Sequence, residues 1–308
     1  MNGPASGKFR DPALVDFGLD SRGRGRRLER LGGVLVERPL PQTQATRRLP
    51  RAWEEAVAVY RTAAVSRREA DAPRGAWEFR GTPPDPWQVK LEVDSRTLTL
   101  EVRPAPSGQT GLFLEQLEQW RWLARTAPPG GLVLSLFGHS GAASLALAAA
   151  GAEVVHVDAS KQAIALARRN AAASGMEDLP IRWVCEDAAT FVARQLRRGS
   201  AFSGAVLDPP SWGHGPRGQA FAIDRDLGPL VDQVAALLAP TGDRPLGPLL
   251  LTCHSPGWHH RRLLDTLVSA CAAAGLHPGS CESGGLACSD DSGRTLELGD
   301  FARCIPSR

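Results

Sequence analysis

From Gly111 onward the sequence repeats one pattern: a short run rich in Val, Leu and Ile, a polar or glycine-bearing turn, then a stretch with helical spacing. Apolar segments at 132–137, 153–157, 180–185, 203–207 and 248–253 alternate with helical stretches at 142–150, 161–174, 189–198, 227–238 and 258–274. A further helix over 115–126 precedes them and stops at Pro128-Pro129-Gly130, and a terminal strand pair is expected near 277–282 and 295–304. Strands joined through crossover helices become sheet neighbours in parallel orientation, with right-handed connections. The pattern therefore predicts an α/β fold with a doubly wound, mainly parallel sheet.

The first 110 residues read differently. Gly33-Val34-Leu35-Val36 predicts a strand, and Trp53, Val57 and Tyr60 fall on one face of a helix predicted over 51–65. Alternating stretches at 87–93 and 97–102, separated by Asp94-Ser95-Arg96, predict a hairpin. The division expected is a small β-rich unit over 1–110 and an α/β domain over 111–308. Net charge is only +3, but it is unevenly placed. Residues 1–110 carry 19 Lys and Arg against 14 Asp and Glu, and the remainder carries 17 against 19. SRGRGRRLER is the most basic run. Arginine forks suit phosphate oxygens and stack on bases; a general bias of the chain toward Arg, Ala, Gly and Pro is the equal alternative.

Composition excludes several classes. At 43% apolar and 22% charged residues the chain reads as globular, and no apolar run approaches the ~20 residues of a membrane helix. The segment MNGPASGKFRDP lacks the apolar centre of a secretory signal, so a cytosolic protein with no membrane partner is expected. Six cysteines lie scattered between Cys185 and Cys304 without a C-x-x-C pair. No metal site is expected, and the thiols are expected free, with Cys253 set apart below.

In a doubly wound sheet, ligands lie beyond the carboxyl ends of the strands. The first such turn, Phe137-Gly138-His139-Ser140-Gly141, runs into a helix N-terminus, where backbone amides favour a carboxylate or phosphate. Asp158 ends the next strand, at the position from which a carboxylate accepts from ribose hydroxyls. Asp187 follows the third strand and suits a purine amine; a helix cap is the plain alternative for each. The fourth strand ends in Asp208-Pro209-Pro210-Ser211-Trp212. Prolines there leave carbonyls free to accept, and Trp212 offers a stacking face; an ordinary strand stop is the equal alternative for this turn taken alone. Together these ends predict a nucleoside-bearing ligand.

At these separations the four motifs resemble those of class I S-adenosylmethionine-dependent methyltransferases. Within that class the chain is similar to the bacterial 23S ribosomal RNA methyltransferases that make 5-methylcytosine or 7-methylguanine. Thr110-Gly111-Leu112-Phe113-Leu114-Glu115-Gln116 resembles that family's opening motif, K-T-G-x-x-x-D-Q-R, and Asp158-Ala159-Ser160-Lys161 its acidic loop. The resemblance implies a seven-stranded Rossmann-like sheet with S-adenosylmethionine as cofactor. Phe137, Gly138, His139, Ser140 and Gly141 would hold the methionine moiety, Asp158 the ribose and Asp187 the adenine, with Ser160 and Ala188 also among the cofactor-binding residues. Thr110 and Gln116 would lie at the entrance, and Asp208, Pro209 and Pro210 beside the transferred methyl. Two positions depart: Gln109 replaces the family's Lys, and Leu117 its Arg.

Carbon 5 of cytosine becomes nucleophilic only after a thiolate adds to carbon 6. The resemblance implies that role for Cys253, in Thr252-Cys253-His254, with His254 favouring the thiolate. Neighbouring strand residues point to opposite faces, so a buried bystander thiol is the alternative. A guanine or adenine nitrogen already has a lone pair and would need only Asp208 or the Pro-Pro carbonyls to orient it. The expected partner is RNA, ribosomal above all, gripped in part by the N-terminal unit; a homodimer is among the expected states. Rival readings are a methyltransferase for small molecules or proteins, and a non-catalytic RNA-binding protein retaining the fold.

Overall fold

The computed structural model describes residues 12–62, 75–214, 220–238 and 246–307. Two compact units divide the chain. One is built from residues up to Leu91, from Leu100–Leu114 and from Cys288–Leu296; the other from Glu92–Thr99, Glu115–Ala287 and Glu297–Arg308.

The first unit holds strands β1 (Ala13–Leu19), β2 (Gly25–Leu31) and β3 (Val34–Pro39), helix α1 (Pro50–Glu54), and strands β4 (Ala58–Thr62) and β5 (Gly75–Phe79). They form one five-stranded sheet in sequence order. All pairs are antiparallel except β3 with β4, which α1 connects. Gly32 and Gly33, at φ 59° and 77°, make the two-residue turn between β2 and β3, a geometry that favours glycine at both positions.

The basic run SRGRGRRLER contributes β2; Arg22 and Arg24 are exposed in the turn before it, whereas the arginines within the strand turn away from solvent. Arg26, Arg27 and Arg38 are all buried. Arg26 donates to Glu37 at 2.9 Å and to the Tyr60 carbonyl at 2.6 Å. Arg38 holds both carboxylate oxygens of Glu29 and donates to Gln109 Oε1 at 2.9 Å. Burial pushes the Glu29 carboxyl up, but the guanidiniums of Arg27 and Arg38 outweigh it and hold it below the usual range. Three of the arginines of this region are therefore enclosed in the sheet beside carboxylates and not presented to solvent.

The helix expected over 51–65 is also corrected. Only Pro50–Glu54 is helical, Ala58–Thr62 is strand, and residues 63–65 lie outside the described residues. Ala58 pairs with Val36 and Tyr60 with Trp77, so sheet pairing overrides the helical spacing of Trp53, Val57 and Tyr60. Asp16, fully buried, accepts from Trp53 Nε1 at 2.7 Å, from the Leu49 amide at 2.9 Å and from Arg294. Arg294 also donates to the carbonyls of Thr46 and Phe17, at 2.9 and 3.0 Å, and covers the Phe17 ring at 4.1 Å.

Strands β6 (Gln88–Val93) and β7 (Arg96–Glu101) form the expected hairpin, turning at Asp94-Ser95 with Asp94 at φ 52°. A 3₁₀ turn at Leu114–Gln116 then leads to α2 (Leu117–Thr126). The α/β succession is β8 (Leu132–Leu136), α3 (Ala142–Ala149), β9 (Glu153–Asp158), α4 (Lys161–Ala173), β10 (Ile181–Cys185), α5 (Ala188–Arg197) and β11 (Gly204–Leu207). A small hairpin, β12 (Trp212–His214) with β13 (Ala220–Ala222), follows. Then come α6 (Ile223–Leu238), β14 (Leu249–Cys253), α7 (His260–Ala273), β15 (His277–Ser289) and β16 (Thr295–Ser307).

The main sheet has seven strands in the order β10-β9-β8-β11-β14-β16-β15. Its pairs from β10 to β14 are parallel, and β16 runs antiparallel to β14. Alternation along the central strands sorts two apolar faces. Leu134, Leu136, Val155, Val157, Ala205, Leu207, Leu249 and Leu251 join one cluster, and Val133, Val154, Val206 and Leu250 the other. A parallel sheet needs both faces covered, and these strands meet that need. Among the described residues no helix is long and apolar enough to cross a membrane.

Candidate active site

Strand order reverses between β8 and β11, since β9 and β10 lie on one side of β8 and β11 on the other. A crevice opens beyond the carboxyl ends at such a switch point. Four of the expected motifs end strands around it.

The turn after β8 is unusual in its backbone. Phe137, His139 and Gly141 have φ of 56°, 42° and 82°, so two non-glycine residues sit in the left-handed region. Such strain persists where surroundings fix it. The His139 amide donates to Asp158 Oδ2 at 2.9 Å, Asn170 Nδ2 donates to the Ser140 carbonyl at 2.8 Å, and the Gly141 amide donates to the Gly138 carbonyl at 2.9 Å. Phe137 packs against Phe221 with centroids 5.3 Å apart. A Cβ on Gly138 would lie 2.3–2.9 Å from the imidazole ring of His156. The loop thus rests directly on a buried ring. His156 is fully buried and its Nδ1 is 2.9 Å from Ser144 Oγ. Burial, with a smaller contribution from His139, pushes its pKa down to about 3, so the ring is neutral.

The donor and acceptor set around this loop fits a nucleoside carrying an amino-acid tail. The first amides of α3 have no intrahelical acceptor and suit a carboxylate. Asp158 Oδ2 and Oδ1 each accept one backbone amide, from His139 and from Ser160 at 2.8 Å. A carboxylate offers about four acceptor positions, so capacity remains for two hydroxyls. Asp187 caps α5, and both of its hydrogen bonds, from Thr190 N and Oγ1 at 2.8 Å, fall on Oδ1. Oδ2 is thereby available to an amine. Ser160 Oγ caps α4 by accepting from Ala163 at 3.2 Å, and the Ala188 side chain is buried in the core. For these two, the backbone is what a ligand would meet.

Thr110 belongs to the other unit, where it is fully buried and its hydroxyl has no hydrogen-bond partner among the described residues. Gln109 accepts from the Arg38 guanidinium. A lysine there would set a second cation beside Arg38, which gives the departure from the family pattern a physical reason.

Beyond β11 and β14 lies a polar cluster. Asp208 Oδ1 accepts from Thr252 Oγ1 at 2.6 Å, and Ser255 Oγ donates to Ser211 Oγ at 2.6 Å. His254 Nδ1 is 2.9 Å from the Leu298 carbonyl, and its Nε2 is 3.5 Å from Gln116 Nε2 and 4.0 Å from Asp208 Oδ1. Buried Glu115 approaches the same ring from the 3₁₀ turn, 4.0 Å from Nδ1. Pro209 is buried, Pro210 is exposed, and Trp212 is 60% exposed.

Cys253 takes no part in this cluster. It is 1% exposed and joins the hydrophobic core, with Sγ accepting from the Ser255 amide at 3.3 Å. Burial pushes the thiol up; the Ser255 hydrogen bonds offset only part of this, and the Asp208 and Asp300 carboxylates add to the rise. A thiol held protonated and enclosed is a poor nucleophile. The geometry thus favours the bystander over the nucleophile. His254, expected to favour a Cys253 thiolate, instead meets Gln116 and Asp208, and Thr252 donates to Asp208. Strand alternation holds the signal: an inward Cys253 turns both of its neighbours outward. Among the described residues no group of three or more His, Cys, Asp or Glu is placed to hold a metal ion.

Comparison with known proteins accords with this geometry. No protein-family model matches the chain. It is 28% identical over 210 residues to ribosomal RNA large subunit methyltransferase I of Aeromonas hydrophila, covering 68% of this chain and 50% of that protein. It is 32% identical over 136 residues to ribosomal RNA large subunit methyltransferase K/L of a Shewanella species, covering 44% of this chain and 19% of that protein. The chain thus spans about half the length of the first relative and less of the second. A solved S-adenosylmethionine-dependent methyltransferase from Agrobacterium tumefaciens superimposes with TM-score 0.80 at 32% identity, over 98% of this chain and 92% of that one. With the fold, the loop and this likeness over nearly its whole length, the chain belongs to the S-adenosylmethionine-dependent methyltransferases.

Proposed function

We propose that the protein transfers the methyl group of S-adenosylmethionine to a base in RNA, ribosomal RNA above all, with the cytoplasm as its compartment. The observation that carries this reading is the Asp208-Pro209-Pro210 turn at the switch point, beside the Thr252 and His254 side chains. It sets hydrogen-bond acceptors next to the loop that suits the cofactor, as a flat, amine-bearing acceptor requires. The names of the ribosomal RNA methyltransferases matched above support the choice of RNA. In this reading Phe137 to Gly141, Asp158 and Asp187 hold the cofactor, and Asp208 with Pro209 and Pro210 orients the base. The cofactor supplies an electrophilic methyl; the protein supplies proximity, orientation and exclusion of water. A base in structured RNA must be unpaired or flipped to reach such a crevice. Mass-spectrometric nucleoside mapping of ribosomal RNA from cells with and without the gene tests the proposal. Loss of one methylated nucleoside, restored by the purified protein, is expected; an unchanged map refutes the ribosomal acceptor.

A further inference from the structure

The polar cluster beyond β11 and β14 has a direction. His254 Nδ1 lies 2.9 Å from the Leu298 carbonyl, which can only accept, so Nδ1 carries the ring proton. Nε2 is then the lone-pair nitrogen, and it faces the Gln116 amide nitrogen at 3.5 Å, as an acceptor should. It also faces Asp208 Oδ1 at 4.0 Å. Thr252 Oγ1 fixes that oxygen, and Glu115 lies 4.0 Å from the opposite ring nitrogen. The absence of a side chain at Gly299 makes room for the ring, because a Cβ there would lie 2.8 Å from Nδ1. Two acceptors, Asp208 Oδ1 and His254 Nε2, are thus near enough for a single amino group to reach both. The neighbouring thiol is enclosed and protonated, so activation of a pyrimidine carbon has no nucleophile here.

We propose that the acceptor is an exocyclic amino group of a base, and that His254 Nε2 takes the proton this nitrogen loses. The inference rests on the RNA reading above. As the nitrogen lone pair forms the new bond to the methyl carbon, the electron pair of the breaking carbon–sulfur bond stays with sulfur. One N–H proton passes to Nε2, leaving a neutral methylamino base and an imidazolium, which returns the proton to water. Asp208 holds the second N–H and orients the lone pair toward the methyl. Gln116, at the far limit of a hydrogen bond, yields its place to the incoming amine.

Three readouts test this. Long-range ¹H–¹⁵N correlation of the histidine rings in the unaltered protein should show His254 as the Nδ1–H tautomer; an Nε2–H tautomer overturns the proposal. His254→Gln should lower kcat by about 10²-fold or more, the usual contribution of a proton acceptor. Its cofactor affinity, read by calorimetry, and its KM for RNA should stay within about threefold of the unaltered values. Unchanged kcat in this variant, or a loss confined to KM, overturns the proposal. The methylated nucleoside should carry its methyl on an exocyclic nitrogen; 5-methylcytosine refutes the acceptor class. Absence of RNA methylation by the unaltered protein would instead bring down the RNA reading itself, a result distinguishable from each of these.

Discussion

Replacing Gly138 by alanine isolates what the loop after β8 requires. Gly138 is not in the left-handed region, so alanine there meets a steric obstacle and no backbone penalty. The new Cβ would lie 2.3 Å from His156 Cε1 and 2.5 Å from Nδ1, whereas ordinary carbon contacts are about 3.5–4.0 Å. A displacement of roughly 1 Å must be found. His156 is fully buried, tied to Ser144 and packed on Trp183 with centroids 4.8 Å apart, so the loop is the part that can give. Overpacking of this kind costs about 1–3 kcal/mol. If the lifted loop carries that cost into binding, S-adenosylmethionine affinity falls by about 5- to 150-fold, at 1.4 kcal/mol per tenfold. If the ring yields instead, the loss appears in the melting temperature, at about 2–4 °C per kcal/mol. Calorimetry and thermal denaturation separate the two. Removing the ring in Gly138→Ala/His156→Ala should recover part of the lost affinity, a coupling expected of residues in contact. A Gly138→Ala protein that binds within twofold and melts unchanged would refute the argument, and so would strict additivity in the double variant.

Asp158→Ala should weaken cofactor binding by about 10- to 150-fold, because hydrogen bonds to a charged group are worth about 1.5–3 kcal/mol; an unchanged calorimetric Kd would remove Asp158 from the site. Cys253→Ala should methylate the substrate within about threefold of the unaltered protein, since the thiol is enclosed and protonated, and loss of turnover with the fold intact would restore it as nucleophile. His156 gives a pH signature. Its folded pKa of about 3 lies below the ordinary value near 6.5, so as pH falls below about 6.5 the unfolded chain takes up the proton first. Its contribution is complete above that pH and is lost at about 1.4 kcal/mol per pH unit toward pH 3. Urea midpoints between pH 7 and 5 should fall accordingly, and His156→Gln should flatten that slope.

The α/β half was legible because its central strands β8, β11 and β14 are apolar on both faces and end in a polar or glycine turn, a local pattern that survives without tertiary information. The first unit was less so. The segment of β2 reads only as the most basic run, because Arg26 of β2 and Arg38 of β3 find Glu37 and Glu29 across the sheet, pairings that no residue-by-residue pattern displays. Trp53, Val57 and Tyr60 have helical spacing, yet pairing with β3 and β5 draws Ala58–Thr62 into a sheet. The loop proposed to hold the cofactor was readable from Gly138 and Asp158, each fixed by a turn of a few residues. The acceptor side was not, because Gln116, Asp208 and His254 meet only through the strand order, with Gln116 and His254 separated by 138 positions.

Arg294 has a consequence for how the molecule is made. It secures Asp16, Phe17 and Thr46, positions 248 to 278 residues earlier in sequence, so this sheet is completed by a segment made only after the central strands of the other unit. Until Arg294 arrives, Asp16 is a carboxylate without its cation, and the segment Cys288–Leu296 is missing from that unit. Vectorial synthesis therefore cannot close the first sheet until strands β8 to β14 of the main sheet have been made, although β16 of the main sheet follows later still. The two units are joined in time as well as in sequence, and a truncation after β14 would deprive both of strands or ties that they need.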